Sequence, residues 1–143
     1  MKVSEVMTRD VRTVSPDQTA KEAASFMLSE DAGSMPVSEG DRLIGMITDR
    51  DIAVRGVAKG YGPETPVSEL MTSDIICARE EDDVEEVAAK MSAAQVRRMP
   101  VIDANQRLCG IVSLGDLARE SDDESAHQAL EGVSQPGGQH QQG

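Results

Sequence analysis

Apolar residues recur at helical intervals in two stretches of the chain. Alanine or methionine occupies positions 20, 23, 24 and 27, and valine, alanine or methionine occupies positions 84, 87, 88 and 91. This spacing of i, i+3, i+4 and i+7 is typical of a helix that buries one face. The sequence therefore predicts two amphipathic helices at equivalent places in its two halves.

The residues ahead of each helical stretch indicate where the helix begins. Ser15 can cap the first helix, with Pro16 at its first position and Gln18 completing a capping box. The second stretch is preceded by the acidic run 80–83, and acidic side chains are favourable near a helix N-terminus. These signals predict a first helix that starts at Pro16 and a second that opens within 80–83.

Short apolar runs flank each predicted helix. The predicted strands are 11–14, 34–38 and 42–47 in the first half, and 75–78, 99–103 and 107–112 in the second. A last helix is predicted to begin near Asp49 in the first half and near Leu114 in the second. Each half is therefore a β-α-β-β-α unit, and the predicted fold class is α+β.

The two halves also repeat each other residue by residue. Residues 3–8 return as 67–72 at an offset of 64, and residues 43–51 return as 108–116 at an offset of 65. A solenoid needs at least three stacked repeats, so two copies predict a pseudo-two-fold pair with a cleft between its halves. The predicted boundaries are 1–60, 61–120 and a polar, acidic, disordered tail at 121–143.

The charge of the chain limits its partners. The formal charge is −12, and residues 121–143 contribute four acids and no Lys or Arg, which leaves −8 on the body. Nucleic acids are bound by clustered cations, so we expect no nucleic-acid partner. No stretch reaches the length of a membrane span, and no signal peptide is recognisable. Cys77 and Cys109 are widely spaced, which fits a reducing, cytoplasmic compartment and leaves open whether they pair.

Two matching blocks are candidates for ligand binding. Both follow the pattern glycine, two apolar residues, a hydroxyl, two further residues and an aspartate, with Thr48 and Asp51 in one block and Ser113 and Asp116 in the other. As a structural element, each is a helix start with a hydroxyl cap and an acidic third position. As a binding site, a helix start suits a phosphate, and the aspartate can accept both hydroxyls of a ribose. The two interpretations are compatible.

This arrangement resembles a tandem pair of CBS domains, a Bateman module. The β-α-β-β-α repeat, the Met-Pro-Val block at 35–37 and 99–101, and the hydroxyl–aspartate block carry the resemblance over residues 1–120. The Thr-Asp-Arg-Asp run at 48–51 and the glycine-rich linker are similar to free-standing bacterial CBS pairs of the hypoxic response protein 1 type. The resemblance implies a regulatory, stress-related module that binds an adenine nucleotide in clefts between its repeats.

The resemblance also implies which residues would line the two clefts. Each cleft would join the hydroxyl–aspartate block of one repeat to the first strand and the Met-Pro-Val neighbourhood of the other. Cleft A would comprise Thr48, Asp51, Ile75, Ile76, Val96, Arg97, Arg98 and Pro100. Cleft B would comprise Val11, Ala32, Gly33, Ser34, Pro36, Ser113 and Asp116.

The two clefts differ in charge. Arg97 and Arg98 lie where the first repeat has Gly33 and Ser34. Guanidinium groups match phosphate oxygens, so cleft A is predicted to be the polyphosphate site and cleft B to hold a less charged ligand or none. The alternative is that the two arginines form a solvated pair that neutralises acids such as Glu85.

No catalytic constellation is visible. Both histidines, His127 and His140, lie in the tail, and no nucleophile–base pair is recognisable, so neither an enzyme nor a metal site is expected. The predicted function is regulatory binding of an adenosyl ligand, with the nucleotide as regulatory ligand rather than cofactor. The alternative is a dimeric protein interaction module without ligand. The resemblance implies a homodimer, and the protein target is not named by the sequence.

Overall fold

The computed structural model describes residues 1–120, so the predicted tail at 121–143 lies outside the described residues. The chain divides into two compact units. The first unit comprises residues 12–75, and the second comprises residues 1–11 and 76–120. Each unit therefore contains the opening segment of the other sequence repeat.

The first unit is built on a two-stranded sheet. It contains helix α1 (Ala20–Glu30), strands β1 (Ser34–Glu39) and β2 (Arg42–Thr48), and a π-helix (Asp51–Gly56). The strands are antiparallel, with a bulge after the fourth residue of β1. An isolated parallel bridge joins Val14 to β1.

The second unit repeats this plan with a larger sheet. It contains β3 (Ala78–Arg79), α2 (Val84–Ala94), β4 (Arg98–Ile102), β5 (Leu108–Ser113) and α3 (Leu114–Glu120). The strand order is β3-β4-β5, with β3 parallel and β5 antiparallel to β4. The α+β fold class predicted from the sequence is confirmed.

An opening segment pairs with the last strand of each unit. In the first unit, Thr72 and Met46 of β2 exchange backbone hydrogen bonds of 2.8 and 2.9 Å. In the second unit, Thr8 and Ile111 of β5 exchange bonds of 2.8 and 2.9 Å. The two pairs occupy equivalent positions of the repeat. The repeated segments 3–8 and 67–72 therefore each end in a residue that pairs with the last strand of a unit.

The glycine of each repeated block is required by this pairing. A Cβ on Gly45 would lie 2.7 Å from the carbonyl oxygen of Thr72, and a Cβ on Gly110 would lie 2.5 Å from that of Thr8. Real side chains do not tolerate such approaches to backbone. The glycines therefore allow the paired segment to lie against the sheet.

Each unit has its own apolar core, to which the predicted helix faces contribute. All four apolar positions of α2 are buried, whereas in α1 Ala24 is exposed and only the other three positions are buried. The opening segments add Val67 and Leu70 to the first core and Val3 to the second, all fully buried. Leu117 is also fully buried in the second core.

The predicted helix starts were wrong by several residues. The first helix begins at Ala20, because Thr19 is its cap and forms a capping box with Glu22. Ser15 and Gln18 instead close a turn: the Ser15 N–H donates to the Gln18 side chain at 3.0 Å. The second helix begins at Val84, after a turn that contains the acidic run 80–83.

The predicted opening strands are also shorter than expected. Between residues 11 and 14 only Val14 pairs with a strand, and the run 75–78 contributes only Ala78 to β3. Arg12 is held by side-chain contacts, since it bonds Glu30 at 3.0 Å and lies 4.6 Å from the centre of the Phe26 ring. These contacts replace a backbone ladder.

Candidate functional site

Both hydroxyl–aspartate blocks form the predicted helix cap. In the first unit the Thr48 N–H donates to Asp51 Oδ2, and the Asp51 N–H donates to Thr48 Oγ1, each at 3.0 Å. In the second unit the Ser113 N–H donates to Asp116 Oδ2 at 2.9 Å, and the Asp116 N–H donates to Ser113 Oγ at 3.2 Å. The reciprocal bonds fix both carboxylates and confirm the structural interpretation.

A second contact places each block beside the loop that leads into the first strand of the neighbouring hairpin, β1 in the first unit and β4 in the second. The Asp49 N–H donates to the Gly33 carbonyl at 2.9 Å, and the Leu114 N–H donates to the Arg97 carbonyl at 3.1 Å. The strand register adds to this, because Arg98 lies opposite Ser113. In the second unit, the arginine pair and the hydroxyl–aspartate block are therefore neighbours.

The residues predicted for cleft A belong to two different units. Thr48, Asp51 and Ile75 lie in the first unit, and the rest lie in the second. For cleft B, Ser113, Asp116 and Val11 lie in the second unit, and the rest lie in the first. The hydrogen bonds from Asp49 to Gly33 and from Leu114 to Arg97 each lie within one unit. They therefore place the hydroxyl–aspartate block of one predicted cleft beside the loop predicted for the other.

The arginine pair is accessible. Arg97 is exposed, Arg98 is partly exposed, and within residues 1–120 neither side chain takes part in an ion pair. The alternative of a solvated arginine pair that neutralises acids such as Glu85 or Glu86 stays a prediction. Among the other residues predicted for the clefts, Ile76 is 53% exposed, whereas Pro36 and Pro100 are buried.

The sequence analysis missed one residue next to Asp51. Arg55 Nε lies 3.9 Å from Asp51 Oδ1, and its Nη1 donates to the carbonyls of Leu70 at 3.3 Å and Met71 at 3.1 Å. The available signal was the spacing, because residues four apart on a helix lie on the same face. Position 120, its equivalent in the second repeat, is Glu120.

The two cysteines are free thiols and weak nucleophiles. Burial, together with a hydrogen bond from the thiol to Glu80, raises the pKa of Cys109 to about 11. Burial also raises the pKa of Cys77. Since the thiolate is the reactive form, both thiols are poorly suited to covalent chemistry at neutral pH.

Residues 1–120 contain neither a membrane-spanning helix nor a metal-binding cluster. No helix in this range has both the length and the apolar composition that a bilayer crossing requires. Nor does any group of three or more Cys, His, Asp or Glu side chains in it converge so as to hold a metal ion.

Comparison with known proteins identifies the repeats. The family model "CBS domain" matches residues 3–56 and 67–123. The CBS domain-containing protein YhcV of Bacillus subtilis is 45% identical over 133 residues, which cover 92% of this chain and 94% of YhcV. The first match ends at the π-helix, and the second begins at the opening segment that pairs with β2.

Solved structures agree with this assignment. The crystal structure of hypoxic response protein I with two coordinated zinc ions, a Mycobacterium tuberculosis protein, has a TM-score of 0.78 and 36% identity, and the match covers 85% of this chain and all of that one. CBSX2 of Arabidopsis thaliana in complex with AMP has a TM-score of 0.73 and 25% identity, over 82% of this chain and 93% of the other. The chain belongs to the CBS domain family and carries a pair of CBS repeats.

Proposed function

We propose that this protein is a non-catalytic regulatory module that binds an adenine nucleotide or a related adenosyl ligand. The similar CBSX2 was crystallised with AMP, and both units of this chain have a hydroxyl–aspartate block of the same geometry. In residues 1–120 no acid–base or nucleophilic pair accompanies these blocks, so binding rather than chemistry is the function that they favour.

The ribose is the part of the ligand that we assign to the aspartates. A carboxylate has about four acceptor positions, and the cap uses one oxygen of each aspartate for one N–H. The two vicinal hydroxyls of a ribose are donors with the right spacing to share a carboxylate. The cap therefore orients the side chain for this role without exhausting its capacity.

The phosphate is the part that we assign to Arg97 and Arg98. The single observation that carries this assignment is the hydrogen bond from Leu114 to the Arg97 carbonyl, because it holds the arginine pair next to Ser113 and Asp116. The sequence had paired these arginines with Thr48 and Asp51. The contacts within the second unit support a site in which this unit supplies both the aspartate for the ribose and the arginines for the phosphate.

A ligand screen tests the proposal. Thermal-shift and calorimetric titrations would compare adenosine, AMP, ADP, ATP, S-adenosylmethionine and NADH. A ligand at 100 times its dissociation constant should stabilise the protein by about 2.7 kcal/mol. Asp116→Asn should weaken AMP binding with little loss of stability, because Asn keeps an acceptor for the cap. If no adenosyl compound binds at millimolar concentration, the proposal is wrong.

The alternative is an interaction module without a ligand. Val54, Val57 and Tyr61 of the first unit are each 46–70% exposed. Two further apolar residues on the helices that follow the strands are less accessible, since Ile52 is partly buried and Leu117 is in the core. We propose a homodimer that buries the three exposed side chains. Light scattering should give twice the chain mass of 15.3 kDa, and a monomer would contradict it.

The free thiols bear on the cellular compartment of the protein. Two unpaired cysteines support a reducing compartment, which we propose to be the cytoplasm. We also propose that the module passes its output to a separate protein target.

A further inference from the structure

We propose that Arg55 is a positioning residue that holds Asp51 in the orientation needed to bind the ribose of an adenosyl ligand in the first unit. This inference rests on the proposed function of the hydroxyl–aspartate blocks. Arg55 itself is not assigned to ligand contact. It acts through the carboxylate of Asp51 and through the segment that precedes Thr72.

The geometry around Asp51 carries the proposal. The two carboxylate oxygens have different partners: Oδ2 accepts the Thr48 N–H at 3.0 Å, and Oδ1 lies 3.9 Å from Arg55 Nε. The Asp51 side chain is only 16% exposed, whereas that of Arg55 is 49% exposed. Arg55 is therefore the more exposed partner, and its charge attracts the oxygen that the cap does not use.

The opposite end of Arg55 is anchored to backbone. Its Nη1 donates to the carbonyls of Leu70 and Met71, and the next residue, Thr72, pairs with Met46 of β2. Leu70 is fully buried, so this anchor belongs to the packed part of the unit. A planar guanidinium can serve these separate acceptors at once because its five donors have fixed directions.

The second unit differs at this position. Its equivalent residue is Glu120, so the repeat does not supply a cation four residues after Asp116. Ser113 and Asp116 nevertheless form the same reciprocal bonds as Thr48 and Asp51. The hydrogen bonds from Arg55 to the Leu70 and Met71 carbonyls are therefore an addition to the helix start that the two repeats share.

The test compares Arg55→Ala with Arg50→Ala, a matched control. Arg50 is exposed on the same segment, and its removal changes the net charge by the same amount without breaking the contacts to Asp51, Leu70 and Met71. Calorimetry with adenosine should show about a two- to fivefold loss of affinity for Arg55→Ala, the size expected for a partly exposed ion pair. Arg50→Ala should bind adenosine like the parent.

Arg55→Lys serves as a second variant. Lysine keeps the charge but not the planar fork, so this variant should have an intermediate affinity. If Asp51→Asn weakens adenosine binding while Arg55→Ala binds like the parent, the positioning role is wrong and the proposed function stands.

A measurement without ligand tests the positioning role even if the parent protein does not bind adenosine. Residue-resolved hydrogen exchange should be faster by about tenfold at the Thr48 and Thr72 amides of Arg55→Ala, because local opening becomes easier, and unchanged in Arg50→Ala. If adenosine does not bind the parent at all, faster exchange would still support the clamp on Asp51 while the proposed function fails. Unchanged exchange would overturn the positioning role whether or not a ligand binds.

Discussion

The two units share the contacts that build the fold and differ in the positions of their arginine side chains. Each unit has a glycine under a paired opening segment, a reciprocal hydroxyl–aspartate cap and a hydrogen bond from that cap to the preceding loop. The first unit has Arg55 beside Asp51, and the second has Arg97 and Arg98 where the first has Gly33 and Ser34. The comparison teaches that the repeat preserves what the fold needs, while these charged side chains differ between its two copies.

The largest effect is expected where the units agree most closely. Gly45→Ala and Gly110→Ala should each lower the free energy of unfolding by about 1–3 kcal/mol, the usual cost of overpacking. Gly110→Ala should cost more, because its Cβ would lie closer to backbone, at 2.5 Å rather than 2.7 Å. Urea denaturation measures both variants.

The matched control is Gly115→Ala. There the nearest atom to a new Cβ is Ser113 Oγ at 3.5 Å, an ordinary contact. Because this glycine lies within α3, alanine should leave stability unchanged or raise it by about 0.5–1 kcal/mol. Equal stability of Gly110→Ala and Gly115→Ala would contradict the close approach of the opening segment.

The caps should have a smaller effect that is similar in both units. Thr48→Ala and Ser113→Ala should each cost about 0.5–2 kcal/mol, the range for removal of an N-cap hydroxyl. Thr48→Ala should cost more, because Thr48 is buried and also loses its methyl group. Thr48→Ser keeps the hydroxyl and is the control. If Thr48→Ser and Thr48→Ala have the same unfolding free energy, the hydroxyl does not cap the helix.

The smallest effect concerns Cys109, which replaces the first unit's Ile44. Its pKa is raised from 9.0 to about 11 by burial and by its contact with Glu80, so the folded state favours the neutral thiol. The stability from this group is fully present below pH 9.0 and is lost as the pH rises towards about 11. Over that window, the unfolding free energy should fall more steeply in the parent than in Cys109→Ala. Parallel pH profiles would contradict the shift.

The sequence predicted most of the fold because its periodic signals are local. The apolar stripe of α2 is buried as predicted. The start of α1 was wrong because two overlapping cap signals compete, and the Thr19–Glu22 pair forms the one that begins the helix.

The rest could not be predicted because it depends on contacts distant in sequence. The pairing of Thr8 with Ile111 brings together residues about a hundred positions apart, and nothing local distinguishes it from pairing within a repeat. Arg55 reads as an ordinary exposed helix residue until Leu70 and Met71 are placed beside it. Of the predicted site, the two caps are confirmed, and the grouping of the residues into ligand clefts stays a prediction.

The measurement that tests the difference between the units most directly is a calorimetric titration of AMP and adenosine into the parent, Arg97→Ala and Arg98→Ala. Arg42→Ala, which removes an exposed arginine of the first unit, is the control. Arg97→Ala and Arg98→Ala should each lose about 10- to 150-fold in AMP affinity, the equivalent of a charge-assisted hydrogen bond of about 1.5–3 kcal/mol. Adenosine, which has no phosphate, should bind all four proteins alike. Equal losses for AMP and adenosine, or an equal AMP loss in Arg42→Ala, would contradict phosphate recognition by the second unit.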